Sequence, residues 1–271
     1  MVNSENPFAG IRRSRRNLIK AGVIGASALL ADLSKMKPAA ANCGKNGKDV
    51  GEGCECFLKS TTIRTADGDR KIEDLAVGDL LPTVFGGICP IQWIGCYRFK
   101  KSDPTKAWVK DVLPIRIARS ALGPDVPHAD LYVTKTHALL VDGVLVAAGN
   151  LINGTTITRY DASELDELEF FHIKLELHDV IYAAGAPCET LLNVDDNAAN
   201  FAEYVRQYGP LTTEETPCAP LFRYSYRRGE VKSCFRSAIS PLVDRRQTVD
   251  IIRDKLDARG IALSRQPELM S

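Results

Sequence analysis

No stretch of this chain is both long and apolar enough to cross a bilayer. The apolar run Ala21 to Leu33 falls well short of the ~20 residues a helical span needs and is interrupted by Asp32. The region after Val194 has no long apolar run either, so no stable membrane anchor is expected. An excess of either charge is also missing: 35 Lys and Arg against 34 Asp and Glu leave +1. Both signs are scattered along the chain, which gives no electrostatic basis for binding nucleic acid or an anionic surface. Neither Cys-x-x-Cys nor His-x-x-x-His spacing occurs, so no metal is expected, and nothing implies a cofactor. There is no internal repeat.

What is present begins with a three-part targeting layout. Arg12, Arg13, Arg15 and Arg16 precede the Ala21 to Leu33 run, and the small residues Ala39, Ala40 and Ala41 follow. Ser14-Arg15-Arg16-Asn17-Leu18-Ile19-Lys20 resembles the bacterial twin-arginine export signal, which is read by a receptor. The expected organisation is a signal peptide at 1–41, cleaved after Ala41, then a short polar leader at 42–55. The expected location is periplasmic or extracellular. Asn42, just before Cys43, is not the small residue that a lipid-anchor signal usually shows there. All eight cysteines, Cys43, Cys54, Cys56, Cys89, Cys96, Cys188, Cys218 and Cys234, lie beyond the signal, where an oxidising compartment favours some disulfides. Cys89 and Cys96 are spaced for a local pair, whereas Cys54 and Cys56 are too close to bond each other without strain.

From Cys56 to Val194 the pattern is short strands between tight turns. Asp67-Gly68, Asp142-Gly143 and Asn153-Gly154 accept the positive φ of a type I′ turn, so three hairpins are predicted. They join Thr62–Thr65 to Arg70–Ile72, Leu139–Val141 to Val144–Val146, and Leu151–Ile152 to Thr155–Tyr160. Ile72 to Asp79 reads as a turn feeding a strand at Leu80-Leu81, and Pro114 to Ile117 alternates like a half-buried strand. The fold class is all-β: an antiparallel domain over 56–194, with a mixed, partly helical extension over 195–271. In that extension Phe201, Tyr204, Val205 and Tyr208 share one helical face, and Val249, Ile252 and Leu256 do so again before Gly260 stops the turn. Pro210 to Pro220 reads as a loop.

The chemistry lies in a pairing. Cys56-Phe57-Leu58-Lys59-Ser60-Thr61-Thr62-Ile63 opens the β domain, and Val133-Thr134-Lys135-Thr136-His137-Ala138-Leu139-Leu140 comes about a domain-width later. An opening cysteine with a downstream Thr-x-x-His resembles the Hint domain shared by hedgehog autoprocessing proteins and inteins. Bacterial secreted Hint proteins are the nearest likeness. Ile72 to Leu81 is similar to that family's Asp-Leu-x-x-Gly-Asp stretch. Phe170 to Leu175, with His178 to Gly185, is similar to its late strand pair. The resemblance implies a Hint-like fold in which Cys56 is the nucleophile and Thr134 and His137 assist. His172 stands where inteins commonly have an aspartate, and Ser60 stands where relatives commonly have glycine. No His-Asn pair marks a downstream junction, since Gly185-Ala186-Pro187-Cys188-Glu189 occupies that place, so full splicing is disfavoured. Hedgehog-like sterol transfer has no support in the residues.

The same residues suffice for a mechanism. A thiolate at Cys56 reaches back to the Glu55 carbonyl and converts the Glu55–Cys56 amide into a thioester. His137 is the candidate proton donor to the leaving nitrogen, and Thr134 orients that ring or hydrogen-bonds the scissile peptide. Water or another small nucleophile then releases the leader, the chain's own substrate. Taken singly, Cys56 reads as a half-cystine, His137 as a hydrogen-bonded structural histidine and Thr134 as a plain strand residue; the combination carries the reading. Alternation puts His172 and His178 on one face with Lys174 and Glu176, which suits a solvated strand face as well as a supporting catalytic role. His128 is a loop residue. The alternatives are a catalytically silent exported Hint-fold structural or binding protein, and a cysteine hydrolase acting in trans.

Overall fold

A computed structural model describes residues 55–101, 103–192, 194, 201–209, 216–222, 236–238, 240 and 246–265. The signal, the leader before Glu55, and Cys43, Cys54 and Cys234 lie outside these residues.

Short alternating segments give short strands. A six-stranded sheet is built from β1 (Phe57–Leu58), β6 (Trp93–Lys100), β7 (Ile115–Ile117), β8 (Leu131–Val133), β11 (Ile157–Arg159) and β12 (Glu167–Lys174), in the order β11-β7-β8-β1-β12-β6. A seven-stranded sheet contains β2 (Thr62–Thr65), β3 (Gly68–Lys71), β9 (Ala138–Val141), β10 (Val144–Ala147), β13 (Val180–Ala183), β14 (Ala186–Glu189) and β15 (Leu221–Phe222), in the order β15-β10-β9-β14-β13-β2-β3. A separate two-stranded sheet joins β4 (Leu80–Pro82) to β5 (Ile88–Pro90). The main core draws on both large sheets, with Phe57, Ile115, Val133 and Ile173 from one and Ile63, Leu139, Val146 and Ile181 from the other. Burying an aliphatic or aromatic side chain of this kind contributes about 1.5–3 kcal/mol, so this shared core holds the two sheets together.

Two of the three expected hairpins form. In β9–β10 the closing pair is Val141↔Val144, and Asp142 and Gly143 have φ of 48° and 80°, as a type I′ turn requires. In β2–β3 the closing pair is Thr65↔Gly68, which moves the two-residue loop back by one, to Ala66-Asp67. The third does not form. The Asn153 side-chain oxygen accepts the amides of Thr155, Thr156 and Ile157 at 3.0, 3.0 and 2.9 Å. The side chain thus takes the bonds a partner strand would have made, and β11 pairs with β7 instead. Ser60, in the predicted glycine position, has φ of 71°, so the turn beside Cys56 keeps its left-handed residue and holds it through a 2.8 Å bond from the Ser60 amide to Glu73.

The disulfide expected between Cys89 and Cys96 is not formed, and both are thiols, as are Cys188 and Cys218. Cys89 lies in the small sheet opposite Leu81, whereas Cys96 lies in the six-stranded sheet opposite Phe171 with its sulfur 3.6 Å from Glu169.

The extension packs on the β domain. In helix α1 (Phe201–Tyr208), Tyr204 meets Trp93 at 5.5 Å between ring centroids. In helix α2 (Thr248–Ser264), Val249, Ile252 and Leu256 enter the main core. Gly260 does not end this helix; it lies inside it, where a Cβ would fall less than 3.0 Å from the Thr155 hydroxyl and 3.2 Å from Asn153 Nδ2. The glycine therefore serves close packing against the 153–156 loop. Gly260→Ala is expected to gain about 1 kcal/mol of helix propensity and lose about 1–3 kcal/mol to overpacking. The net effect, a melting temperature lower by several degrees, is checked by thermal unfolding followed by circular dichroism.

Candidate functional site

The site assembles around the residue that enters β1. Antiparallel pairing of Phe57 with Phe171 and Leu58 with Phe170 continues the register to Cys56 and His172, and directly opposed residues point to the same face. The Cys56 sulfur and His172 Nδ1 are accordingly 3.6 Å apart, in hydrogen-bonding range for a thiol. On its other flank β1 pairs with β8, Phe57 opposite Val133, which delivers Thr134. The Cys56 amide donates to the Thr134 hydroxyl at 2.9 Å, and the Thr134 amide donates to the Cys56 carbonyl at 2.9 Å. Thr134 therefore grips the residue from both ends of its backbone, and its oxygen contacts the very N–H of the Glu55–Cys56 peptide.

His137 sits one turn further on, its amide donating to the Thr134 carbonyl at 3.2 Å while its own carbonyl accepts from Ala148 at 2.8 Å. Its ring is fully buried, with its centroid 4.2 Å from that of Phe57. Glu55 is buried as well. Cys56 lines a small cleft together with Thr134, Lys135 and Thr136, the rings of Tyr97, Phe99 and Phe170, and Asp111, Val112 and Leu113.

Of the two readings of His172 and His178, the solvated strand face is corrected. Both are buried, as is Lys174, because β12 is covered on both faces. The two histidines also serve different places: β12 belongs to the six-stranded sheet, and His178 lies beyond it, just before β13. His178 Nδ1 accepts the Cys218 amide at 3.0 Å, which leaves the ring proton on Nε2, 3.5 Å from the Glu189 carboxylate. The other Glu189 oxygen accepts the Ala138 amide at 2.7 Å. This arrangement fastens the 216–222 segment to the β domain.

His172 occupies an aromatic box that the sequence reading did not single out. Its ring lies 5.4 Å from Trp93 and 4.9 Å from Tyr97, centroid to centroid. Burial, then the neighbouring charge site at His137, pushes its pKa from 6.5 down to about 3, so at neutral pH the imidazole is uncharged, with one of its two ring nitrogens able to accept a proton. Between pH 6.5 and about 3 the unfolded chain binds a proton here that the folded chain refuses. Stability therefore falls as pH drops through that window, by about 1.4 kcal/mol per pH unit from this group. His172→Gln is expected to flatten that part of the acid limb in urea melts taken between pH 6.5 and 4.

A cysteine thus opens a two-sheet β module, with its amide held by a threonine and its sulfur beside a buried imidazole. The chain belongs to the Hint domain family, whose model matches residues 55–195. None of the curated proteins compared with the chain matches it. Among solved structures it is similar to the gp41-1 intein at 17% identity, covering 50% of this chain and 98% of that one with a TM-score of 0.36. It is similar to a DnaB intein from Synechocystis at 13%, covering 51% and 99% with a TM-score of 0.35. It is similar to a bacterial intein-like domain from Clostridium thermocellum, also at 13%, covering 51% and 99% with a TM-score of 0.34.

Proposed function

We propose that the protein cleaves its own chain at Glu55–Cys56 through a thioester, without splicing. The observation that carries this reading is the double hold on Cys56: its amide on Thr134 at 2.9 Å and its sulfur beside His172 Nδ1 at 3.6 Å. His172 takes the thiol proton as the sulfur pair forms a bond to the Glu55 carbonyl carbon and the carbonyl π pair moves onto oxygen. Collapse of that adduct breaks the C–N bond. The proton passes from His172 by way of His137 to the leaving nitrogen, which Thr134 has kept in line, and Cys56 is left with a free α-amine. Water then adds to the thioester carbon, expels the sulfur and yields a leader ending in the Glu55 carboxylate.

This assignment gives the thiol proton to His172, keeps His137 as the route to the leaving nitrogen and gives His178 a scaffold role. The substrate is the chain's own fourteen-residue leader, Asn42 to Glu55. Export by the twin-arginine pathway, supported by Arg15-Arg16 and the apolar run after them, would place the reaction outside the cytoplasm. Intact mass and N-terminal sequencing of the exported protein test the proposal. A form beginning at Cys56 that accumulates at the expense of one beginning at Asn42 is expected; a permanent Asn42 start overturns it.

A further inference from the structure

We infer that Gly95 is a positioning residue for the proposed reaction: its bare backbone, between the Trp93 and Tyr97 side chains, forms the slot that aims His172 at the Cys56 sulfur. The inference rests on the processing reading above and adds to it the part that fixes the base.

Gly95 lies in the middle of β6, directly opposite His172. A strand interior disfavours glycine, which loses conformational entropy there and offers nothing to pack, so a glycine in that position marks a close approach. No positive φ demands it, which leaves space as the reason. A Cβ on Gly95 would lie less than 3.0 Å from both Cδ2 and Nε2 of His172, and 2.7 Å from the tip of Trp93. The Cδ2–Nε2 edge of the ring therefore lies against the glycine. Alternation along β6 sends Trp93 and Tyr97 to the same face as the missing Gly95 side chain, where they wall the ring on either side. His172 Nε2 is buried with no hydrogen-bond partner among the described residues, so no second polar contact steers the imidazole. Among the described residues, its direction, with Nδ1 toward the sulfur, is set by the shape of the slot and by the contact with Cys56 itself. A methyl group at position 95 must push the ring out of the slot, and a misplacement of about 1 Å costs roughly 100-fold in rate.

The test is a double-mutant cycle in the full chain with Gly95→Ala and His172→Ala, read by processing rate and by melting temperature. Gly95→Ala alone is expected to slow processing about 100-fold and to lower the melting temperature. On the His172→Ala background it is expected to slow processing no further and to lower the melting temperature by less, since only the approach to Trp93 then remains. A wild-type rate in Gly95→Ala, or a thermal penalty equally large on both backgrounds, overturns the inference. Should His172→Ala itself process at the wild-type rate, the processing role of His172 fails, while the thermal arm still reports on the slot. If either variant fails to fold, the alternative is a ring titration of His172 by NMR in Trp93→Leu. Loss of one wall is expected to raise the midpoint from about 3 toward 6.5, and an unchanged midpoint overturns the slot.

Discussion

Cys56→Ala is expected to leave every exported molecule beginning at Asn42, with processing reduced by about four to six orders of magnitude, the scale on which loss of a covalent nucleophile acts. The size of the effect follows from what the sulfur does. In the proposed reaction it attacks the Glu55 carbonyl carbon and leaves as a thiolate when water arrives. The fold should survive, because removing one sulfur from a site held by Phe57, Phe171 and Val133 leaves the strand pairing untouched. Circular dichroism and time courses by mass spectrometry on the same preparation separate loss of chemistry from loss of structure. Processing in Cys56→Ala at more than a few per cent of the wild-type rate would assign the cleavage to another group.

The second large effect is expected at His172. His172→Gln removes the lone pair beside the sulfur and should slow processing by about 10²–10⁴-fold, the usual contribution of a positioned base. His137→Gln should also slow it, through the second proton transfer. Thr134→Ala should cost about tenfold, in line with about 1–1.5 kcal/mol for one hydrogen bond, because it removes only the hold on the scissile amide. The ranking is informative. If His137→Gln abolished processing while His172→Gln left it unchanged, the sulfur's proton would have to be taken by the imidazole packed on Phe57, and the 3.6 Å approach of His172 would be incidental to the chemistry.

The placement of Cys56 and of the Thr-x-x-His turn was legible because both are local: a cysteine at a strand entrance, and a threonine and histidine within one tight turn. The Asp142-Gly143 hairpin was legible for the same reason, since its φ values are a property of two residues. The partner of the sulfur was not. Cys56 and His172 are 116 positions apart and meet only through the register of β1 on β12, which no local pattern fixes. Alternation around His172 suggested one wet face, and the structure covers both faces of β12. A signal did exist in Trp93-Ile94-Gly95-Cys96-Tyr97: a glycine at the centre of an otherwise strong strand pattern marks a place where something lies close. Gly260 misled in the opposite sense. Near the end of a helical pattern it reads as a stop, yet its reason is a contact with a loop more than a hundred residues earlier, and tertiary packing overrode the local rule. At Asn153 the side chain itself replaced the partner strand, an outcome the Asn-Gly dipeptide alone does not reveal.

The most direct measurement is capture of the acyl group. The full chain beginning at Asn42 is incubated with hydroxylamine, and the released leader is weighed and fragmented. A leader ending in a Glu55 hydroxamate, formed faster as hydroxylamine rises and absent in Cys56→Ala, is the predicted result. A leader that never carries the hydroxamate, or one that still forms in Cys56→Ala, would contradict acyl transfer to this sulfur.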